Sequence, residues 1–298
     1  LNLMKTNKKS KETKIAGIKL TPDHSEQFIN WFPGHMNKAI KEIKGKLKLV
    51  DIILEVCDAR APQLTRNFYL EENLGNKKKI LIFNKENLAD PKITKLWKEY
   101  LSELNIDHIF LNITDKSATQ KLLLLIQKSC SHLTKAQQSS LIIGLPNTGK
   151  STLINRLVNK NVAKTANRPG QTRTQQLIKV NDNLSLLDTP GIMPPKIEHQ
   201  EDGLKLAALN SIPSHIVSQE DSAIFLLKYL IKNYPENLRS KYEIKELSGD
   251  ILETLDQIGQ RRKCLLKKGQ IDYQRVYEIL LSEFQEGKLG SISLEAPL

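Results

Sequence analysis

The residues best suited to chemistry form one run, Gly144-Leu145-Pro146-Asn147-Thr148-Gly149-Lys150-Ser151. Its spacing, Gly-x4-Gly-Lys-Ser, is that of a phosphate-binding loop. Glycines let backbone N–H groups turn inward around phosphate oxygens, and the start of the next helix adds positive partial charge. Lys150 would reach the β- and γ-phosphates and Ser151 would offer its hydroxyl to Mg²⁺. Asn147, Thr148, Gly149 and the following Thr152 are expected to line the same loop. Asp188-Thr189-Pro190-Gly191 follows about forty residues later. Alone it is an ordinary turn. At that distance Asp188 would join the Mg²⁺ shell and the Gly191 N–H would face a γ-phosphate. Between the two, Arg168-Pro169-Gly170-Gln171-Thr172 reads as a mobile loop whose Thr172 completes the metal coordination.

A third run, Asn84-Lys85-Glu86-Asn87, is similar to the NKxD motif that reads guanine, and it departs at the fourth place. An Asp there accepts hydrogen bonds from guanine N1–H and the exocyclic amine. Asn87 has one acceptor oxygen, and its NH₂ would face a second donor, a loss of ~2–4 kcal/mol. Glu86 and Asp90 are the carboxylates near enough to compensate. Asn112 and Ile113, just past the next strand, are grouped with the nucleotide-binding residues. NKEN precedes the phosphate loop by about sixty residues, whereas the usual order is the reverse. Ligands of open α/β sheets sit at the carboxyl ends of the strands. Cutting and rejoining the chain elsewhere preserves such a site, so the order NKxD, phosphate loop, switch threonine, DTPG implies a circular permutation.

The elements that must carry these loops are legible as apolar runs. Val50–Glu55, Lys79–Phe83, His108–Leu111, Leu141–Ile143 and Leu184–Leu187 read as short buried strands. Asn37–Leu49, Ile93–Leu104, Thr119–Lys128 and Thr152–Val158 read as helices between them. Alternation of this kind implies an α/β fold with a mostly parallel sheet and helices on both faces. Beyond Ile212 only helices are expected, Ser222–Lys232 and Asp272–Glu286 among them. In the latter Tyr273, Val276, Tyr277, Leu280 and Phe284 make one apolar stripe. The expected organisation is a basic, disordered tail over 1–28, a permuted nucleotide-binding domain over 29–211 and a smaller all-helical domain over 212–298.

Composition fits this. The 298 residues carry 45 Lys and Arg against 33 Asp and Glu, a formal charge of +12, which points to a polyanionic partner. With 39% hydrophobic residues, disorder throughout is excluded. The longest apolar run, Leu122 to Ile126, is far below the ~20 residues of a membrane span. Cys57, Cys130 and Cys264 are too scattered for a disulfide framework or a zinc ladder and are expected to be buried thiols. The first twenty residues hold neither a secretory apolar stretch nor the arginines of a mitochondrial leader, so a cytoplasmic location is expected.

Trp31-Phe32-Pro33-Gly34-His35-Met36, Asp58-Ala59-Arg60-Ala61-Pro62, the NKEN variant, GLPNTGKS, PGQT, DTPG and Ile258-Gly259-Gln260-Arg261-Arg262 occur in one order. In this the chain resembles the ribosome biogenesis GTPase A family from Asn30 onward. The resemblance implies a cytoplasmic, monomeric GTPase that binds the late-assembling large ribosomal subunit, takes Mg²⁺, and hydrolyses GTP when the ribosome docks. Many GTPases orient the attacking water with a Gln just after DxxG; here that place is Ile192. The resemblance offers His35 as the catalytic group instead, and Asn147 as a ligand for K⁺. Arg60 reads best as an ion-paired arginine beside Asp58. Arg261, Arg262, Lys263, Lys267 and Lys268 form a basic cluster that would track ribosomal RNA by phosphate and shape. Two other readings remain: an RNA-binding adaptor with a degenerate nucleotide site, and a P-loop NTPase with relaxed base selectivity.

Overall fold

A computed structural model describes residues 29–30, 41, 43–45, 47–71, 74–75, 77–131, 138–158, 177–187, 189, 191, 193 and 196–297. The strands are Ile29–Asn30 (β1), Ile52–Asp58 (β2), Lys78–Asn84 (β3), His108–Phe110 (β4), Gln138–Ile143 (β5), Leu177–Lys179 (β6), Leu184–Leu187 (β7) and Lys196–Ile197 (β8). The helices are Phe68–Glu71 (α1), Pro91–Glu103 (α2), Lys116–Ser129 (α3), Lys150–Val158 (α4), Gln200–Ala208 (α5), Gln219–Asn233 (α6), Pro235–Tyr242 (α7), Ile251–Arg261 (α8) and Tyr273–Gln285 (α9).

β2 is buried at all seven positions and β3 at its last five. Strands covered on both faces need a sheet with a helix layer on each side. The six-stranded sheet runs β4-β3-β2-β5-β7-β6, parallel except for the edge pair β6 and β7. On one face Ile52, Leu54, Ile80 and Ile142 meet Leu122 and Ile126 of α3 and Leu153, Ile154 and Leu157 of α4. On the other, Cys57, Leu81 and Phe83 meet Trp97 and Leu101 of α2. α2 starts where it does because Asp90 accepts the Lys92 and Ile93 N–H groups and Pro91 needs no partner of its own.

From α5 onward the chain is helical. The apolar faces of α6, α8 and α9 bury Leu226, Leu230, Leu255, Ile258, Leu280 and Phe284 in one core. That core also takes in Ala61, from the turn after β2. The end of the chain then returns to the sheet. The Ile292 N–H donates to the Leu88 carbonyl (2.9 Å) and the Leu294 N–H to the Arg60 carbonyl (2.7 Å).

The expected strands all occur, with β2 shifted two residues later and β5 extended three residues earlier. α4 begins at Lys150 and not at Thr152. β1, β6, β8, α1 and α5 have no counterpart among the expected elements, nor do α7 and α8 within the region expected to be helical: β6 is three residues long, and the polar sequence of α7 holds few apolar residues to set a period. Beyond Ile212 the one β feature described is an isolated bridge between Leu265 and Ile271. All three cysteines are buried and unpaired. Asn37–Ile40, Glu42 and Lys46 of the expected helix Asn37–Leu49, and the whole 1–28 tail, lie outside the described residues.

Candidate nucleotide-binding site

The three motif loops leave the carboxyl ends of β3, β5 and β7, which lie on one edge of the sheet. Backbone demands account for the glycines of the phosphate loop. Gly144 has φ +146°, and a Cβ there would lie 2.3 Å from the Val56 carbonyl oxygen. Gly149 has φ +108°, and its Cβ would lie 2.2 Å from Asn84 Nδ2. Both positions are closed to side chains. Asn147 also adopts the left-handed region (φ 57°), a conformation concentrated at functional turns. Lys150 is buried at the first turn of α4, where Nζ donates to the Leu145 carbonyl (2.7 Å). Thr148 Oγ1 donates to the same oxygen (3.0 Å), and Ser151 and Thr152 are half-buried beside it. Gly191 is pressed against this loop: a Cβ would meet Pro146 N and Cα at 2.9 Å. Thr189 Oγ1 donates to the Ile142 carbonyl (2.6 Å) and pins the DTPG turn to β5.

Register sets Asn84 opposite Asp58 at the ends of β3 and β2. The Asn84 carboxamide joins two loops: Nδ2 donates to the Thr148 carbonyl (2.9 Å) and Oδ1 accepts the Ile113 N–H (3.1 Å). Lys85, itself left-handed (φ 63°), donates from Nζ to the Asn147 carbonyl (2.9 Å) and to Asp58 Oδ2 (2.8 Å). Asn112 turns its side chain into its own loop, towards Asp115 and Thr114. Asn87 is exposed in the 3₁₀ turn that follows Lys85. Neither nearby carboxylate compensates for it in this arrangement. Glu86 pairs with Lys98 (2.6 Å). Asp90 caps α2 through Oδ1 and accepts the Tyr234 O–H through Oδ2 (3.2 Å).

Sequence reasoning paired Arg60 with Asp58 but missed that the pair is buried beneath these loops and shares its carboxylate with Lys85. Arg60 is 1% exposed and grips Asp58 with both Nε (2.9 Å) and Nη2 (2.8 Å). Burial pushes the Asp58 carboxyl up, but Arg60 and then Lys85 hold it well below the usual carboxylate range. Burial lowers the Lys85 ammonium below its ordinary value, with Asp58 opposing. The ion-paired reading of Arg60 is therefore what the structure has, deep inside and not at the surface. A hint was available: an Asp closing a buried strand needs a cation, and Arg60 is two residues away.

Of the basic cluster, Arg261 pairs with Glu243. Arg262 pairs with Glu283 and stacks over the Tyr242 ring (5.4 Å). Lys263, Lys267 and Lys268 are exposed and have no ion-pair partner among the described residues. His35, Thr172 and Asp188 lie outside the described residues, as does Ile192. The donors expected for Mg²⁺, the Ser151 and Thr172 hydroxyls and the Asp188 carboxylate, are all oxygen, the chemistry that ion takes. Ser151 lies where such a site requires it, in the first turn of α4 directly behind the loop.

A phosphate loop on a central strand, with an NK pair welded to it from a strand earlier in the chain, defines a circularly permuted P-loop GTPase fold. Comparison with known proteins agrees. A family model described as RsgA GTPase matches residues 49–198, and one described as 50S ribosome-binding GTPase matches 139–268. Ribosome biogenesis GTPase A of Bacillus licheniformis is 41% identical over 278 residues, covering 90% of this chain and 98% of that one. The bovine mitochondrial ribosome-associated GTPase 1 is 31% identical over 303 residues, covering 93% and 91%. The GDP-bound structure of YlqF from Thermotoga maritima superposes with a TM-score of 0.64 at 28% identity, covering 86% of this chain and 99% of that one. The chain belongs to the ribosome biogenesis GTPase A family, and is a GTPase of ribosome biogenesis.

Proposed function

We propose that this GTPase binds the late-assembling large ribosomal subunit in the cytoplasm, as a monomer, and hydrolyses GTP when docked there. The observation that carries the nucleotide part is the Asn84 bridge. One carboxamide ties the phosphate loop to the Asn112–Ile113 turn, and Lys85 adds a second tie at Asn147. That construction preforms the floor and wall of a purine nucleotide site. The matched model for a 50S ribosome-binding GTPase supports the large-subunit part.

In this reading residues 29–211 form the nucleotide-binding unit and 212–298 the helical unit that meets ribosomal RNA. The backbone N–H groups of Asn147 to Thr152 surround the β-phosphate, Lys150 leaves the Leu145 carbonyl to reach the β- and γ-oxygens, and the Gly191 N–H faces the γ-phosphate. Lys85 flanks the base and Asn87 faces its Watson–Crick edge. Mg²⁺, when bound, neutralises the charge shared by the β- and γ-oxygens, and Ser151, Thr172 and Asp188 would hold it. His35 orients the attacking water, a role that Ile192 cannot fill. Any K⁺ would be held by the carboxamide oxygen of Asn147, whose nitrogen donates to the Asn210 carbonyl (2.7 Å). Contact with RNA falls first to Lys263, Lys267 and Lys268, with Arg261 and Arg262 reaching it from their paired positions.

GTP turnover measured with and without large-subunit particles is the test. Stimulation by large but not small subunits supports the reading. Equal turnover in both refutes the docking step, and no turnover in either favours the adaptor reading. Relaxed base selectivity is favoured by one observation, the engagement of Glu86 and Asp90 elsewhere.

A further inference from the structure

Arg60 is enclosed, and its hydrogen bonds among the described residues run to Asp58 on one side and to Phe284 and Leu294 on the other. Nη1 donates to the Phe284 carbonyl (3.3 Å), and the guanidinium carbon lies 4.9 Å over the centre of the Phe284 ring. The Arg60 carbonyl accepts the Leu294 N–H (2.7 Å). On its other side Arg60 holds both oxygens of Asp58, and Asp58 Oδ2 also holds Lys85 Nζ. Lys85 Nζ in turn donates to the Asn147 carbonyl of the phosphate loop. From α9 to the phosphate loop there are thus four contacts in series, each 3.3 Å or shorter. α9 also braces the same residue of that loop through its side chain. Gln285 Nε2 donates to the Ala208 carbonyl (3.0 Å), and two residues on, the Asn210 carbonyl accepts from Asn147 Nδ2 (2.7 Å).

We infer that Arg60 is a positioning residue for the nucleotide, which acts through Asp58 to fix the Lys85 ammonium against the phosphate loop according to where α9 lies. The inference rests on the reading of Asn84 to Asn87 as the base-binding loop. Its physical basis is that two cations share one buried carboxylate. Arg60 is the stiff partner, bidentate and stacked, whereas Lys85 is a single ammonium on a flexible stem. While Arg60 occupies both Asp58 oxygens, Lys85 is left with a bond to one of them and divides itself between Asp58 and Asn147. Without Arg60, Asp58 takes Lys85 for itself, the hold on Asn147 weakens, and the Lys85 stem leaves the place from which it flanks the base, while the loop keeps its backbone N–H groups and Lys150 for phosphate. A shift of α9 works on the same point, because it drags the guanidinium with the Phe284 carbonyl.

A double-mutant cycle tests this. Affinities for GDP and for inorganic tripolyphosphate are measured by displacement of a fluorescent guanine nucleotide from wild type, Arg60→Met, Lys85→Met and the double variant. Arg60→Met is expected to weaken GDP by about tenfold and tripolyphosphate by less than about twofold, since the phosphate contacts come from the loop backbone and Lys150. In the Lys85→Met background the same substitution should cost less than about twofold, because residues acting in series are not additive. A role in folding alone would lower both affinities together, or add its full loss in both backgrounds, and either result overturns the inference. So does an Arg60→Met protein with wild-type GDP affinity. Should Arg60→Met fail to fold, Arg60→Lys runs the same cycle, since it keeps the charge and loses the bidentate grip. Wild type from which tripolyphosphate displaces the probe as well as GDP does would overturn the base-loop reading, and this inference with it, before any variant is made.

Discussion

Asn87→Asp should convert a poor guanine reader into a good one. Glu86 is paired with Lys98, and Asp90 spends one oxygen on the α2 cap and the other on Tyr234. In the proposed site Asn87 is thus the group left to face the base. Its amide meets one of guanine's two donors with an acceptor and the other with a donor. The missing charge-assisted bond and the opposed donors together cost about 2–4 kcal/mol, or roughly 30- to 1000-fold. Xanthine offers N1–H and a carbonyl oxygen, the pair that an amide complements. Wild type should bind XTP as well as GTP or better, and Asn87→Asp should reverse the order. Asn87 is exposed, so the substitution disturbs no packing. The assay is displacement of a labelled nucleotide by GTP, XTP and ATP from both proteins. A wild-type preference for GTP over XTP of about a hundredfold or more would refute the reasoning. It would mean that Asp90 gives up its cap on binding, or that another group reads the base.

Lys150→Ala should abolish triphosphate binding while the melting temperature moves by only a few degrees, because the contact that Nζ gives up at the Leu145 carbonyl is a hydrogen bond and not core packing; a variant of normal affinity would remove the phosphate-loop assignment. His35→Ala should lose most of the large-subunit stimulation at unchanged GTP affinity, a kcat effect; undiminished stimulation would make the histidine structural. Burial raises the Glu295 carboxyl from 4.5 to about 7, against the Gln63 and Leu64 N–H groups that it accepts. The folded protein then keeps a proton that the unfolded chain releases, so this group's contribution is complete below pH 4.5 and is lost as pH rises to 7, about 3 kcal/mol in all. Glu295→Gln should lack that slope in urea midpoints taken across the window, and an unchanged slope would refute the assignment.

What the sequence made legible follows from where the information is local. The phosphate loop needs Gly144 and Gly149 for reasons within a few residues of each, and the pattern is correspondingly plain. The apolar runs of β2 and β3 announce buried strands because both faces of a parallel sheet are covered. β6 carries three residues and one edge pairing, too little to stand out. The closing segment from Leu289 to Glu295 carries no helical or strand period of its own, yet Leu289, Ile292 and Leu294 are buried. Its partners are Leu88 and Arg60, about two hundred residues away, and no local period encodes such a contact. The same holds for Arg60 itself. Its Asp58 partner is adjacent in sequence, but its burial depends on Phe284.

That long-range return gives the permuted order a physical consequence. The turn from Asn84 to Leu88, which binds the base in the proposed site, is held at both ends by parts of the chain that come much later. At its start Asn84 and Lys85 bond to the phosphate loop. At its end the Leu88 carbonyl accepts the Ile292 N–H, while Gly287 approaches so closely that a Cβ would lie 2.4 Å from Leu88 Cδ2. Next to it the Asp90 N–H donates to Ser293 Oγ (3.0 Å). Nucleotide on one side and the helical region on the other therefore compete for, or agree on, the position of a single turn. Coupling between two sites must be reciprocal in binding free energy. A partner that displaces α9 and the closing segment must change nucleotide affinity by the same factor by which nucleotide changes affinity for that partner.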